Sequence, residues 1–236
     1  MNKRKKGLII ALSAAAGLII IFAAYINDYY HALPEAAAIA ATMDDEDGNL
    51  FLNGTEDIGI IIYPGGKVDE QAYAPLAKEL NNAGYPVVVV KMPLRLAIFS
   101  PNKATEVMEA HPGIDRWVLA GHSLGGTAAS MFVADHPDKI AGIVFMGSYP
   151  YKDLSALDLF ALDITGSNDM VLNRQKAFES TPLYPADRDS LVIEGGNHAY
   201  FGSYGEQDGD GEASITNADQ IAITAAYITE SLDARP

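Results

Sequence analysis

Residues 117–126 read Trp-Val-Leu-Ala-Gly-His-Ser-Leu-Gly-Gly, an apolar run that enters Gly121-His122-Ser123-Leu124-Gly125 and leaves into an Ala-rich stretch. A G-x-S-x-G sequence between a strand and a helix is the pattern of a nucleophile elbow, with the serine at the tip of a sharp turn. Such a turn leaves no room for side chains two positions either side of Ser123, which Gly121 and Gly125 provide for. The first N–H groups of a helix have no partner within it. The Leu124 N–H is therefore a predicted donor to an oxyanion formed beside Ser123.

A serine hydroxyl needs a base to take its proton. Of the five histidines, His31 follows the apolar N-terminal run, and His111 and His136 each precede a proline at a predicted helix end. His122 adjoins Ser123 on the strand, points to its other side and reads as a packed core residue. His198 remains, in the Gly-rich loop Gly195-Gly196-Asn197-His198 after the last predicted strand. The base in turn needs a carboxylate on its far nitrogen. Asp169, just beyond the end of a predicted strand in Gly166-Ser167-Asn168-Asp169, suits that position better than Asp163, Asp187, Asp189 or Glu194. A second oxyanion donor is expected from the loop after the first strand, Tyr63-Pro64-Gly65-Gly66-Lys67, with the Gly66 N–H ahead of the Lys67 N–H. This chemistry needs no metal and no cofactor.

These groups must be held by a sheet. Gly59–Tyr63, Val87–Val90, Trp117–Ala120, Ile140–Met146, Leu159–Ile164 and Ser190–Ile193 are continuous apolar runs, the pattern of strands buried on both faces. Helical patterns separate them at Glu70–Ala83, Lys103–His111, Leu124–Ala134 and Asn173–Glu179, and Ala218–Leu232 closes the chain. Alternation of this kind predicts an α/β fold, a mostly parallel sheet covered by helices on both faces. About a dozen residues separate Met146 from Leu159, too few for a large lid domain. Asp208-Gly209-Asp210-Gly211-Glu212 fails the EF-hand spacing and reads as a solvated turn. Gly125-Gly126 is followed by no G-K-[ST], so it is not a phosphate loop.

The chain's 236 residues carry a formal charge of −15. Setting aside Lys3, Arg4, Lys5 and Lys6 leaves twelve Lys and Arg against thirty-one Asp and Glu, or −19. So acidic a surface repels phosphate backbones and excludes nucleic acid as a partner. Behind the basic cluster, Gly7 to Ile26 is twenty residues without a charge, a helix of ~30 Å and long enough to cross a bilayer's hydrocarbon core. Basic residues before it and Asp28 after it predict a cytoplasmic N-terminus and an extracytoplasmic domain. The run is longer than a cleaved signal's ~7–15 apolar residues, and Phe22-Ala23-Ala24 makes a poor cleavage site. The expected organisation is therefore a signal anchor over 1–30, a linker over 31–57 and one domain over 58–236, bound to the cell membrane by its N-terminal helix. A secreted form is the alternative if the segment is cleaved. There is no cysteine for a lipoprotein anchor or a disulfide.

From Gly59 to Leu232 the chain resembles the α/β-hydrolase superfamily, in which nucleophile, acid and base follow the order Ser, Asp, His. More narrowly it is similar to a group of membrane-anchored bacterial α/β-hydrolases, through Tyr63–Asp69, Gly121–Gly126, Gly166–Asp169, Gly195–Ala199 and Tyr204–Gly211. The resemblance implies a nucleophile at Ser123, an acid at Asp169 and a base at His198. The function expected is hydrolysis of a carboxylic ester, or of an amide or thioester, in a small molecule or an acylated envelope substrate. Acyl transfer, and a non-catalytic binding protein on the same fold, are the alternatives.

Overall fold

The computed structural model describes residues 3–235, without the side chains of residues 3, 4, 6–11, 19 and 21. In chain order its elements are α1 (Lys3–Asn27), α2 (Pro34–Ala40), β1 (Asp44–Glu46), β2 (Asn49–Leu52), β3 (Ile58–Tyr63), α3 (Ala74–Asn82), β4 (Val87–Val89), α4 (Lys103–Ala110), β5 (Arg116–His122), α5 (Leu124–Asp135), β6 (Ile140–Met146), β7 (Phe160–Gly166), α6 (Arg174–Glu179), β8 (Asp187–Ile193) and α7 (Asn217–Asp233). The side chains of part of the 7–26 run expected to anchor the chain lie outside the described residues. Among the described residues no helix is long and apolar enough to cross a membrane.

Eight strands form one sheet in the order β1-β2-β4-β3-β5-β6-β7-β8. β4, β3, β5, β6, β7 and β8 run parallel, while β1 and β2 are antiparallel additions at one edge. The parallel strands between the edges are buried on both faces, which is why they read as unbroken apolar runs. One face packs Ile60, Ile62, Val118 and Val144 against α3 and α7 through Leu76, Leu80, Ile221 and Ile228. The other packs Ile61, Trp117, Leu119 and Phe145 against α4 and α5 through Val107, Phe132 and Val133. The predicted α/β architecture is the one observed, with only residues 147–159 between β6 and β7 and hence no lid domain.

Three local expectations change. The stretch expected as a linker, 31–57, is structured: Ala36, Ala40, Met43, Leu50 and Phe51 are buried, and β2 pairs with β4. Apolar Leu50–Leu52 reads as a short edge strand and forms part of β2, next to the edge, but the Ala-rich and acidic composition concealed a short helix begun by Pro34 and the polar strand β1 at the sheet edge. The predicted helix over Glu70–Ala83 divides into a 3-10 turn at Glu70–Tyr73 and α3, because Pro75 suits only a first helical turn. β8 begins at Asp187 rather than Ser190, since its polar half faces solvent on the opposite edge strand.

Candidate active site

Every parallel strand delivers its following loop to the same edge of the sheet. Ser123 leaves β5 with φ 51° and ψ −119°, a left-handed conformation that costs a non-glycine residue ~1–2 kcal/mol. The surroundings enforce it. The Ser123 N–H donates to the Met146 carbonyl at 3.0 Å, and the Ser148 hydroxyl donates to the Ser123 carbonyl at 2.7 Å. A Cβ on Gly121 would lie 2.4 Å from the Gly126 backbone, and one on Gly125 would lie 2.1 Å from the Tyr63 carbonyl oxygen. The crowding anticipated around the serine is thus present at both glycines.

Asp169 follows β7 and is fully buried. Its Oδ1 accepts the N–H groups of Val171 and Leu172 at 2.9 and 2.8 Å. Its Oδ2 faces His198 Nδ1 at 2.8 Å. That bond makes Nδ1 the protonated nitrogen, so Nε2 carries the free lone pair. Nε2 is buried and makes no hydrogen bond, and His198 and Ser123 line one cavity of about 220 Å³ together with Leu124, Gly147 and Leu172. The rival carboxylates are committed elsewhere or turned to solvent. Asp163 pairs with Arg188 and Asp187 with Arg235, while Asp189 bonds the Ser190 N–H and Glu194 is exposed.

The candidate oxyanion donors differ in what they already bond. The Lys67 N–H is taken by the Arg95 carbonyl at 2.8 Å, and the Gly65 N–H by the Tyr73 hydroxyl at 2.8 Å. Among the described residues the N–H groups of Gly66 and Leu124 have no acceptor. They belong to neighbouring residues: a Cβ on Gly66 would stand 3.0 Å from Leu124 Cδ2.

Three further residues that shape the site were not singled out from the sequence, although one, Asp210, lies in the Tyr204–Gly211 run that carries the resemblance. Gly147, after β6, has φ +53°, and a Cβ there would lie 2.8 Å from His198 Nδ1 and 3.1 Å from Asp169 Oδ2. Gly147→Ala is therefore expected to displace the His198–Asp169 pair. A displacement near 1 Å costs ~100-fold in turnover, to be read as kcat/KM beside a thermal melt. Asp210, expected in a solvated turn, instead accepts the N–H of Met170 at 3.1 Å and that of Ala199 at 2.8 Å. It buckles together the loops that carry Asp169 and His198. Gln220, fully buried on α7, exchanges two hydrogen bonds with the Asn197 backbone and fixes the histidine loop from below.

His122 is buried as expected, but its ring lies 4.6 Å from that of His198. Its Nδ1 sits 2.7 Å from the Tyr73 hydroxyl. That hydroxyl already accepts the Gly65 N–H, so it donates its own proton to His122. Burial first, and then the charge of His198, push the His122 pKa well below the usual 6.5, partly offset by the His198 backbone. A histidine held neutral in the fold but free to protonate when unfolded stabilises fully above the unfolded pKa. It loses that contribution as pH falls toward the depressed folded value. The slope is about 1.4 kcal/mol per pH unit below pH ~6.5. Melting temperature should accordingly drop more between pH 7 and pH 5 in the parent than in His122→Asn. Equal drops would contradict a neutral buried His122.

A family model described as the alpha/beta hydrolase family matches residues 59–222. No curated protein matches the sequence. Among solved structures, an alpha/beta hydrolase enzyme from the metagenome of sediments of the Mar Chica lagoon, Morocco, superimposes with TM-score 0.60 at 18% identity, over 82% of this chain and 98% of that one. The monoacylglycerol lipase of Paleococcus ferrophilus gives TM-score 0.59 at 14% identity, over 77% and 98%. A membrane phospholipase A, described as a bacterial virulence factor, gives TM-score 0.59 at 14% identity, over 99% and 98%. At such identities the likeness is one of fold. The match over 59–222, set on a parallel sheet with Ser123, Asp169 and His198 at one edge, places the chain in the alpha/beta hydrolase family.

Proposed function

We propose that the protein is a serine hydrolase that cleaves a carboxylic ester through an acyl-enzyme. Ser123 Oγ attacks the acyl carbon as His198 Nε2 takes its proton. The N–H groups of Gly66 and Leu124 receive the oxyanion of the tetrahedral intermediate. His198 passes the proton to the leaving oxygen as the ester bond breaks. Water, deprotonated by His198, then adds to the acyl group, and Ser123 departs with its proton restored. Asp169 holds the Nδ1–H and stabilises the imidazolium. The observation that carries this reading is the buried Asp169–His198 pair, its Nε2 free, lining one cavity with a serine on a strained turn. The reading requires a Ser123–His198 hydrogen bond to form with substrate bound, since Nε2 has no partner among the described residues of the ligand-free site.

The uncharged run behind four cations supports α1 as a membrane anchor, with the domain outside the cytoplasm. The full chain in detergent, given p-nitrophenyl esters of rising chain length, is expected to release nitrophenolate and free acid. Amide and thioester analogues, and added alcohol or amine acceptors, separate hydrolysis of an ester from its neighbours. Product carried on the acceptor would move the assignment to acyl transfer. No turnover of any acyl substrate by folded protein would leave only a binding role.

A further inference from the structure

The chain emerges from α1 directly onto the rim of the site. Tyr30 pairs with Val68 as an isolated parallel bridge, taking the Lys67 carbonyl at 2.8 Å and giving its own carbonyl to the Asp69 N–H at 2.9 Å. The Arg95 guanidinium stacks on Tyr29, 3.4 Å from the ring centre, and Lys67 pairs with Asp28. These contacts fix residues 28–30 against the loop that supplies the Gly66 N–H. A cleft of about 480 Å³ runs between Asn27 and Pro93–Arg95.

The loop on the other side of that cleft, leaving β4, is apolar and exposed at Leu94, Ile98 and Phe99. Leu94 and Arg95 both have positive φ, 52° and 55°, so the backbone is held in a strained form that keeps Leu94 outward. Behind them Leu96 approaches to 3.7 Å of where a Gly66 Cβ would be. Outside α1, eight large apolar side chains are exposed among the described residues, and five lie on loops leaving the carboxyl ends of strands: Leu94, Ile98, Phe99, Tyr151 and Met170. Tyr151, Met170 and Phe99 are 63, 71 and 60% exposed. Exposed apolar groups scattered singly are ordinary, but a group gathered on one face marks a contact surface. Here the five follow β4, β6 and β7 at the sheet edge that also carries Ser123, Asp169 and His198, and Leu94 shares its cleft with Ile26 and Asn27, the end of an apolar helix whose Leu12, Leu18, Ile20 and Phe22 are also uncovered.

We propose that this carboxyl edge of the sheet lies against the lipid bilayer. Leu94, Ile98 and Phe99 enter the boundary between headgroups and acyl chains beside α1, and the substrate is a long-chain acyl ester drawn from that bilayer. The apolar loop, rather than charge, holds the face down, because Lys67 and Lys103 are already paired with Asp28 and Glu106. The substrate half of the proposal rests on the serine hydrolase reading, whereas the orientation does not.

The test uses the full chain in vesicles of phosphatidylcholine brominated in the upper acyl chain, which quenches tryptophan on contact. The native Trp117 is fully buried and supplies a constant background. Phe99→Trp, with Ile98→Trp as a second probe, is expected to be quenched strongly, and to remain so at high salt. Gly113→Trp, exposed in the loop that enters β5 at the opposite, amino edge of the sheet with nothing within 4 Å of a Cβ there, is not. Three results would overturn the orientation: equal quenching at positions 99 and 113, none at either, or a blue-shifted but unquenched emission from Phe99→Trp, the sign of shielding against a second copy of the chain. With Leu94, Ile98 and Phe99 all changed to Asn, cleavage of a long-chain ester within the vesicle should fall at least tenfold relative to that variant's turnover of soluble p-nitrophenyl acetate. An unchanged ratio would overturn the substrate assignment. Quenching as expected from a protein that cleaves no ester would leave the orientation standing and remove the hydrolase reading.

Discussion

Ser123→Ala is expected to lower kcat/KM by about 10⁶-fold while leaving the fold intact, the scale at which removing a serine nucleophile disables a triad. The geometry separates the two effects. Nothing in the turn depends on the hydroxyl: the strained conformation is held by backbone bonds to Met146, by Ser148 and by the two flanking glycines. Alanine at φ 51° bears much the same strain as serine, so the melting temperature should barely move. Residual activity would come from the Gly66 and Leu124 N–H groups acting on attacking water. A variant that retained a tenth of the parent rate would show that another group attacks the ester.

The second large effect belongs to Asp169→Asn, and its sign follows from the hydrogen bonds. Two N–H groups, from Val171 and Leu172, point at Oδ1, so the carboxamide oxygen must stay there. Its NH₂ group then occupies the Oδ2 position, 2.8 Å from His198 Nδ1, and donates to it. Donation to Nδ1 forces the proton onto Nε2, and the nitrogen that should accept the serine proton is blocked. Loss of about 10⁴-fold in kcat is expected, with KM little changed, as for a triad set in the wrong tautomer. The parent and the variant should share one ¹⁵N-observed protein fold while their histidine ring signals report opposite tautomers. A loss below tenfold would mean that Asp169 is a structural residue only.

How much of this could be read beforehand depended on whether the information was local. The buried strands were legible because β3, β5 and β6 are covered on both faces and carry unbroken apolar runs. The meeting of Ser123, Asp169 and His198 at one sheet edge was legible because each sits in a Gly-containing loop after such a strand. The sequence ranks the Gly66 N–H ahead of the Lys67 N–H, but what separates them was not legible. The Lys67 N–H is taken by the Arg95 carbonyl, presented by a loop with two left-handed residues that no composition announces. Gly147 is one glycine among 21, distinguished only by the His198 ring packed against it. Asp210 looked like an ordinary turn carboxylate because its partners, Met170 and Ala199, come from two other loops. The segment over 31–57 misled for a different reason. The small alanines of α2 and the edge-strand acids of β1 pack into a fold without forming an apolar stripe, so periodicity passes over them.

The tyrosine between Gly65 and His122 ties the two halves of the site. Through Tyr73 the loop of Gly65 and Gly66 and the ring beside His198 share one buried chain of hydrogen bonds. A shift of either half is thereby resisted by the other, which is how a small, lidless domain keeps a three-residue constellation in register.

The most direct measurement is labelling of the full-length protein with a fluorophosphonate, followed by intact mass and peptide mapping. One phosphonyl adduct is predicted, on Ser123, formed rapidly by the parent and at least a hundredfold more slowly by His198→Ala. No adduct on well-folded protein, or an adduct on any other residue, would contradict the assignment of Ser123 as a nucleophile activated by His198.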